Sequence, residues 1–320
     1  MPEKRSALGG VAFCLVAALG YTASNICMRQ LTAMHSDPVW AVFNRELVTP
    51  VVIGAWLVLQ AARGRPSLPS LGEIVMLAAV GILIQLAGNV CVQWSLGVVG
   101  LAVTIPAMFG AMITGGALIG RFWLGERVSG RSITAVAMLL ASLALLGVGA
   151  ETAGREIARA NDLSPNTLIM VLGVAAAGLG GAVYALLSAV LRRAVTRSTT
   201  PPAAAFLVTL MSIVCLGPIC YYRLGLPKML ETPPEQFGLM IAAGVFNLIA
   251  FLALINGLQR TTVVHANAVN ASQVAMAAVA GVLLFAEPPT AWVLSGVCLT
   301  IFGIVWIDRP KDAVEEIPPP

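Results

Sequence analysis

The sequence predicts an all-α integral membrane protein: ten transmembrane helices arranged as two inverted-topology repeats of five around a central cavity. Three observations lead there. Of the 320 residues, 58% are hydrophobic and only 11% are charged, and the mean hydropathy is +0.88. A soluble domain is about a quarter charged, so too little polar surface is present to cover a soluble globule. Apolar runs of about 20 residues, long enough to cross a ~30 Å hydrocarbon core, occur about ten times. The chain also repeats itself. Gly116-x-x-x-Gly120 followed by Glu126 returns as Ala277-x-x-x-Gly281 followed by Glu287, 161 positions later, and Tyr21 and Arg29 return as Tyr184 and Arg192, 163 positions later. Each half holds five spans. Five is odd, so the second half enters the membrane upside down, an arrangement that places a binding site at the midplane between the halves.

The first repeat covers 1–150, with spans at 7–30, 38–62, 71–96, 100–122 and 130–150. Lys4-Arg5 precedes the first span in the manner of a signal peptide, but Tyr21 and Arg29 take part in the repeat, which favours retention. The second span carries Asn44-Arg45-Glu46 and Pro50, and the third carries Gln85, Asn89 and Gln93. The fourth carries the small-residue ladder Ala107-Ala111-Gly115 and Gly116–Gly120, and the fifth begins just after Glu126. A linker at 151–165 follows, its charges (Glu151, Arg155, Glu156, Arg159, Asp162) alternating in sign as suits an exposed connection. The second repeat, 166–308, holds spans at 166–192, 202–222, 237–257, 263–286 and 289–307, and 309–320 is a tail. Long unbroken runs, rather than alternating ten-residue strands, exclude a β-barrel.

Charge sets the orientation. With the N-terminus inside, 13 Lys and Arg fall on the inner side and 5 (Arg29, Arg155, Arg159, Arg223, Lys228) on the outer, with Arg45 inside a span. The positive-inside rule therefore places both termini in the cytoplasm. These cations need no nucleic acid to explain them. The six cysteines (Cys14, Cys27, Cys91, Cys215, Cys220, Cys298) lie in apolar spans without the spacing of a metal site, and read as small core residues. Neither a metal nor another cofactor is expected.

Polar groups are costly in hydrocarbon and tend to face the bundle interior or a wet cavity. Gln85 and Asn89 are four apart and share a helix face, which Gln93 extends. The candidate substrate-binding set is Tyr21, Asn25, Asn44, Arg45, Gln85, Asn89, Tyr184, Asn247, His265, Asn267 and Asn270. Neutral amides suit the ammonium and carboxylate of a zwitterion, with Tyr21 and Tyr184 offering apolar faces. The bland alternative is that each amide only ties helices together. Arg45, roughly 10 Å deep at 1.5 Å per residue, either snorkels, joins a structural pair or meets a substrate carboxylate. Glu46 is expected to point elsewhere, since adjacent helix residues do not face each other. Glu126 and Glu287 are expected to complement the N-termini of the spans they precede. The small ladders either bring the fourth and ninth spans together or form a dimer seam, and repeat symmetry favours a monomer. Pro50 and Pro218 are the expected hinges, because proline removes a helical hydrogen bond. Glu46 and His265 are the titratable groups within spans. Each has an ordinary explanation, which favours transport without obligatory proton coupling.

Leu124-Gly125-Glu126, repeated as Phe285-Ala286-Glu287, each followed by an apolar span, resembles the doubled domain of the drug/metabolite transporter superfamily. Arg45 within Asn44-Arg45-Glu46-Leu47 resembles the arginine often found in that family's second helix, whereas the second half has no arginine at the equivalent position, near Leu207. The resemblance spans about 7–307. It implies a carrier in the plasma membrane (the inner membrane of a bacterium) that moves small metabolites outward, most like the aromatic amino acid exporters. The partners implied are a small-molecule substrate and the lipid bilayer. A nucleoside, polyamine or cationic-drug exporter is the alternative. An intramembrane enzyme would need a nucleophile, base or metal constellation, and no catalytic set is evident. No P-loop signature supplies another energy source.

Overall fold

The computed structural model describes residues 2–64, 69–123, 167–197, 199–260, 272–287 and 289–306, together with 134, 137–138, 141–142, 145–146, 266 and 269–270. Among these residues nine helices have defined bounds and there is no strand: α1 (Pro2–Ala33), α2 (Pro38–Ala62), α3 (Leu71–Val99), α4 (Leu101–Trp123), α5 (Thr167–Arg197), α6 (Pro201–Leu230), α7 (Pro234–Arg260), α8 (Gln273–Phe285) and α9 (Ala291–Trp306). The first seven are long and apolar enough to cross a membrane, and the described parts of α8 and α9 are shorter apolar helices. The span expected at 130–150 and the linker at 151–165 lie almost wholly outside the described residues.

Local chemistry sets most boundaries. Proline opens α2, α6 and α7 (Pro38, Pro201, Pro234), where its missing N–H is no loss and its φ is already helical. Asp37 caps α2, its Oδ1 accepting from Val39 N at 2.9 Å and Trp40 N at 3.0 Å. Upstream, α1 ends on His35 at φ 56. Ser36 N bonds Leu31 O and His35 N bonds Thr32 O, the paired bonds of a Schellman ending. Gly100, at φ 78, is the entire connection between α3 and α4. The expected span 202–222 continues as helix to Leu230, and its backbone breaks at Gly225 (φ 71, ψ 159), beyond Pro218.

The packing repeats under exchange of the halves. Helix α1 lies against α7 as α3 lies against α5. The pair α2–α7 has its counterpart in α6–α3, and α2–α6 and α4–α8 map onto themselves. The outer pair does the same: Thr300 Oγ1 of α9 donates to Ser142 Oγ, of the expected fifth span, at 3.0 Å. Leucine, valine and tryptophan side chains such as Leu19, Trp56, Leu59, Leu179 and Leu283 face outward, as lipid-facing helix surfaces require.

Close approach depends on glycine. A Cβ on Gly81 of α3 would sit 2.9 Å from Val208 O of α6, and one on Gly244 of α7 would sit 2.7 Å from Arg45 O of α2. These are the same contact in the two halves, since 81 + 163 = 244 and 45 + 163 = 208. The ladder Ala111–Gly115 packs on α5, with Gly181 and Ala185 opposite, rather than on the ninth span. Residue Gly281 of the other ladder faces Ala102 of α4. A Cβ at Gly116, which sequence pattern placed in a contact, would meet no neighbouring helix within 4 Å among the described residues.

Gly244→Ala and Gly81→Ala should each destabilise by about 1–3 kcal/mol, the usual cost of overpacking, whereas Gly116→Ala should be neutral. Thermal unfolding in detergent checks this, and equal melting temperatures for all three variants would contradict the packing.

Candidate functional site

A cavity of about 80 Å³ lies between the halves. At roughly 10–15 Å³ per water position, it has room for several waters or the body of a small solute. Its walls come from both repeats in matched positions. At an offset of 163 the pairs are Tyr21 with Tyr184, Asn25 with Ser188, Arg45 with Val208 and Glu46 with Thr209. At 162 they are Gln85 with Asn247, Asn89 with Phe251 and Val92 with Leu254, and at 161 Phe109 with Asn270 and Met112 with Gln273. The step from 163 to 162 falls where α3 contains a π turn, Ile84–Asn89. Its wider i→i+5 winding accommodates one extra residue in that half, and such turns concentrate at functional sites.

The hub is the Glu46 carboxylate. Oε1 accepts from Arg45 Nε at 3.0 Å, from Arg45 Nη2 at 2.7 Å and from Asn247 Nδ2 at 3.3 Å, and Oε2 accepts from Gln85 Nε2 at 3.5 Å. Gln85 Oε1 in turn accepts from Asn89 Nδ2 at 2.9 Å, and Asn89 Oδ1 accepts from the Tyr184 hydroxyl. Tyr21 also lies within electrostatic reach of the pair. Arg45 and Glu46 are 7% and 4% exposed, which rules out snorkelling. The expectation that Glu46 turns away from Arg45 is therefore corrected. The backbone directions do diverge, but both side chains are long, and an unpaired ion in this interior costs several kcal/mol.

Local folding places these groups. Gly244 lets α7 close on α2 at Arg45, and Asn247, three residues on, then meets Glu46. Gly81 does the same for α3 against α6, one turn before Gln85. In the π turn, Gly88 packs against Val183 of α5, and Gly180 opposite accepts Val92 and the Gly88 carbonyl. This closeness brings Tyr184 to Asn89.

Of the sequence-derived set, the structure brings Tyr21, Asn25, Arg45, Gln85, Asn89, Tyr184, Asn247 and Asn270 to the cavity. Asn44 does not line it: its Nδ2 donates to Trp40 O at 2.9 Å within its own helix, the nearest acceptor for a buried amide. Gln93 leaves the expected stripe and bonds Met28 O of α1, tying two helices. His265 and Asn267 lie outside the described residues. Sequence reasoning left out Gln273, which bonds Asn270 Oδ1 at 2.8 Å, and the apolar wall of Met108, Phe109 and Met112 on α4. The matched offsets between the halves point to both.

A second buried pair joins the halves nearer one end of the bundle. Arg29 Nε of α1 donates to Glu287 Oε1 at 3.0 Å. That carboxylate also accepts from Leu101 N at 2.8 Å and from Ala102 N at 2.9 Å. Glu287 therefore serves the N-terminus of α4, not that of α9, the span it precedes. The reason is Gly100: with no loop between α3 and α4, the first amides of α4 are buried and must find an acceptor. Arg29 lies over the Phe285 ring, 5.1 Å from its centroid. On the same side, Trp40 Nε1 donates to Thr232 Oγ1, Gln236 Nε2 to Met34 O and Arg223 to Asp37, linking the α1–α2 turn to the α6–α7 turn.

Residues 171–308 match the EamA-like transporter family, of the drug/metabolite transporter superfamily. No curated protein matches the chain. A solved crystal structure superposes with a TM-score of 0.61 at 16% identity, over 93% of this chain and 95% of that one, and shares the fold. The chain is a multi-pass membrane protein, and its residues 171–308 are similar to a family of transporters.

Arg29→Met should destabilise by about 3–5 kcal/mol, because it strands a buried carboxylate. Adding Glu287→Gln should recover part of the loss, since the charge is gone and the amide oxygen still faces Leu101 N. Simple additivity of the two losses in thermal unfolding would show that the pair is not coupled.

Proposed function

We propose that this protein is a secondary carrier that exports a small neutral or aromatic amino acid across the plasma membrane by alternating access. The observation that carries the reading is the cavity between the halves, lined by matched positions of both repeats. A site on a pseudo-twofold axis can be opened to either side by similar motions of similar elements. Its chemistry is mixed. Asn270 and Gln273, at and just before the start of α8, are matched by Phe109 and Met112 of α4 at the equivalent positions, and the Arg45–Glu46 pair and the two tyrosines complete the lining. Few convergent polar groups on apolar walls are what a small organic ligand requires.

The outward direction follows the resemblance to exporters. Net neutrality argues against the polyamine and cationic-drug alternatives, because the Glu46 carboxylate that would hold a cation is already paired with Arg45. The working unit is a monomer without cofactor, both termini are cytoplasmic, and the helix ends swing about Pro50 and Pro218. Gly225 supplies a further break in α6 near that end.

Proteoliposomes preloaded with unlabelled amino acid should accumulate labelled leucine or phenylalanine by counterflow. Gln85→Ala should lower that rate about tenfold, the effect of removing roughly 1.4 kcal/mol of binding, with expression unchanged. Full activity in alanine variants of Gln85, Asn89 and Asn247 would remove the cavity from the transport path. A cysteine introduced at position 155 should react from outside the cell, and labelling only from the cytoplasm would reverse the orientation.

A further inference from the structure

We propose that the Arg45–Glu46 pair is the specificity device of the cavity: it opens to the substrate and re-forms as two contacts, Glu46 with the α-ammonium and Arg45 with the α-carboxylate of an amino acid whose side chain is uncharged. The proposal rests on the reading that the cavity is the transport site.

The two partners are held differently. Glu46 also accepts from Gln85 of the first half at 3.5 Å and from Asn247 of the second at 3.3 Å, so partners other than Arg45 hold its carboxylate. Arg45 is a long side chain, and its Nε and Nη2 both converge on a single oxygen, Glu46 Oε1. A guanidinium is matched to a carboxylate that offers one oxygen to each nitrogen. A substrate carboxylate supplies that geometry and improves on the resting pair.

Charge balance then selects the ligand. A carboxylic acid alone takes Arg45 and leaves Glu46 without a cation. An amine alone takes Glu46 and strands Arg45. Stranding either buried ion is heavily unfavourable, so only a ligand carrying both charges keeps every ion paired. Spacing selects further. The resting charges are in direct contact, 2.7 Å apart. An α-amino acid, with one carbon between ammonium and carboxylate, can insert between them, whereas an ω-amino acid holds its charges several bonds apart. A charged side chain would face the apolar wall of Met108, Phe109 and Met112 with no partner there among the described lining residues. The other titratable groups facing the pair, Tyr21 of α1 and Tyr184 of α5, are hydroxyls that adjust as donors or acceptors.

The test uses norleucine and 6-aminohexanoate, which have the same atoms and the same net charge, with hexanoate and pentylamine as the single-charge halves. Each competes against labelled leucine in counterflow by the purified, reconstituted protein. Norleucine should compete at least about tenfold more strongly than the other three, a difference of roughly 1.4 kcal/mol. Glu46→Gln strands Arg45 and risks misfolding, so the informative variant is the double change Arg45→Gln with Glu46→Gln, which removes both charges together. It should unfold near the parent temperature and lose the preference for norleucine over 6-aminohexanoate. Leucine counterflow in which 6-aminohexanoate competes within about twofold of norleucine, or a double variant that keeps the preference, overturns the pair's role and leaves the transport reading standing. Failure of leucine to counterflow at all sinks both.

Discussion

A charge inside this bundle must be neutralised where it sits, and much of the interior is arranged around that requirement. Among the described residues two carboxylates are almost wholly buried, Glu46 at 4% exposure and Glu287 at 3%. Each is met by one arginine and by further donors, and each set of contacts ties the two halves of the chain together. Glu46 gathers Arg45, Gln85 and Asn247, and through them Asn89 and Tyr184. Glu287 gathers Arg29 and two amides of α4. The costs of leaving any of these groups unpaired in low dielectric are large enough to fix helix positions that dispersion between apolar helices leaves loose. Glycine makes it possible. Gly81 and Gly244 bring helices into backbone contact, so that side chains as short as asparagine reach the carboxylate.

The two pairs sit differently with respect to the repeat. Arg29 and Glu287 come from opposite halves, and the sequence carries their equivalents as Arg192 and Glu126. Arg45 and Glu46 have no charged equivalents, since Val208 and Thr209 occupy the matching places. The scaffold is thus close to symmetric and the charges at its centre are not. In the proposed cycle, symmetry of the walls would give two similar ways of opening. Under the proposed function, asymmetry of the charges would give a bound zwitterion one preferred direction in the site, where Asn270 and Gln273 of one half match Phe109 and Met112 of the other.

Much of this was legible in the sequence, and the misses have physical causes. Hydropathy located the helices to within a few residues, because a span must be apolar along its whole length. The ends of α1 and α6 were set short, since Pro2–Arg5 is charged yet helical, and Arg223 and Lys228 flank Gly225 and Pro227 in a segment that resumes as helix beyond the break. Buried polarity identified most of the polar residues that line the cavity. It failed for Asn44 and Gln93, because an amide in a helix can equally turn to a backbone carbonyl, and nothing in composition distinguishes the two. Glu46 was read by helix direction alone, a rule for short or exposed side chains that gives way when desolvation makes pairing compulsory. The role of Glu287 depended on Gly100. A one-residue connection buries the amides of α4, and only the fold shows which carboxylate reaches them.

The resting Arg45–Glu46 pair also bears on turnover. A carrier must release what it binds, so its empty site should not be much worse than its filled one. A cavity lined by a lone arginine would hold a carboxylate tightly and give it up slowly. Here the empty cavity is already satisfied, because the two ions serve each other. In the proposed cycle a zwitterion would exchange one internal pair for two external ones of similar kind, so that the net gain stays small while the discrimination stays large, since every mispaired ligand strands an ion. Specificity and easy release usually oppose each other. An internal pair that mimics the ligand's own charges separates them, and the amides of Gln85 and Asn247, neutral in either state, hold Glu46 in place while its partners change.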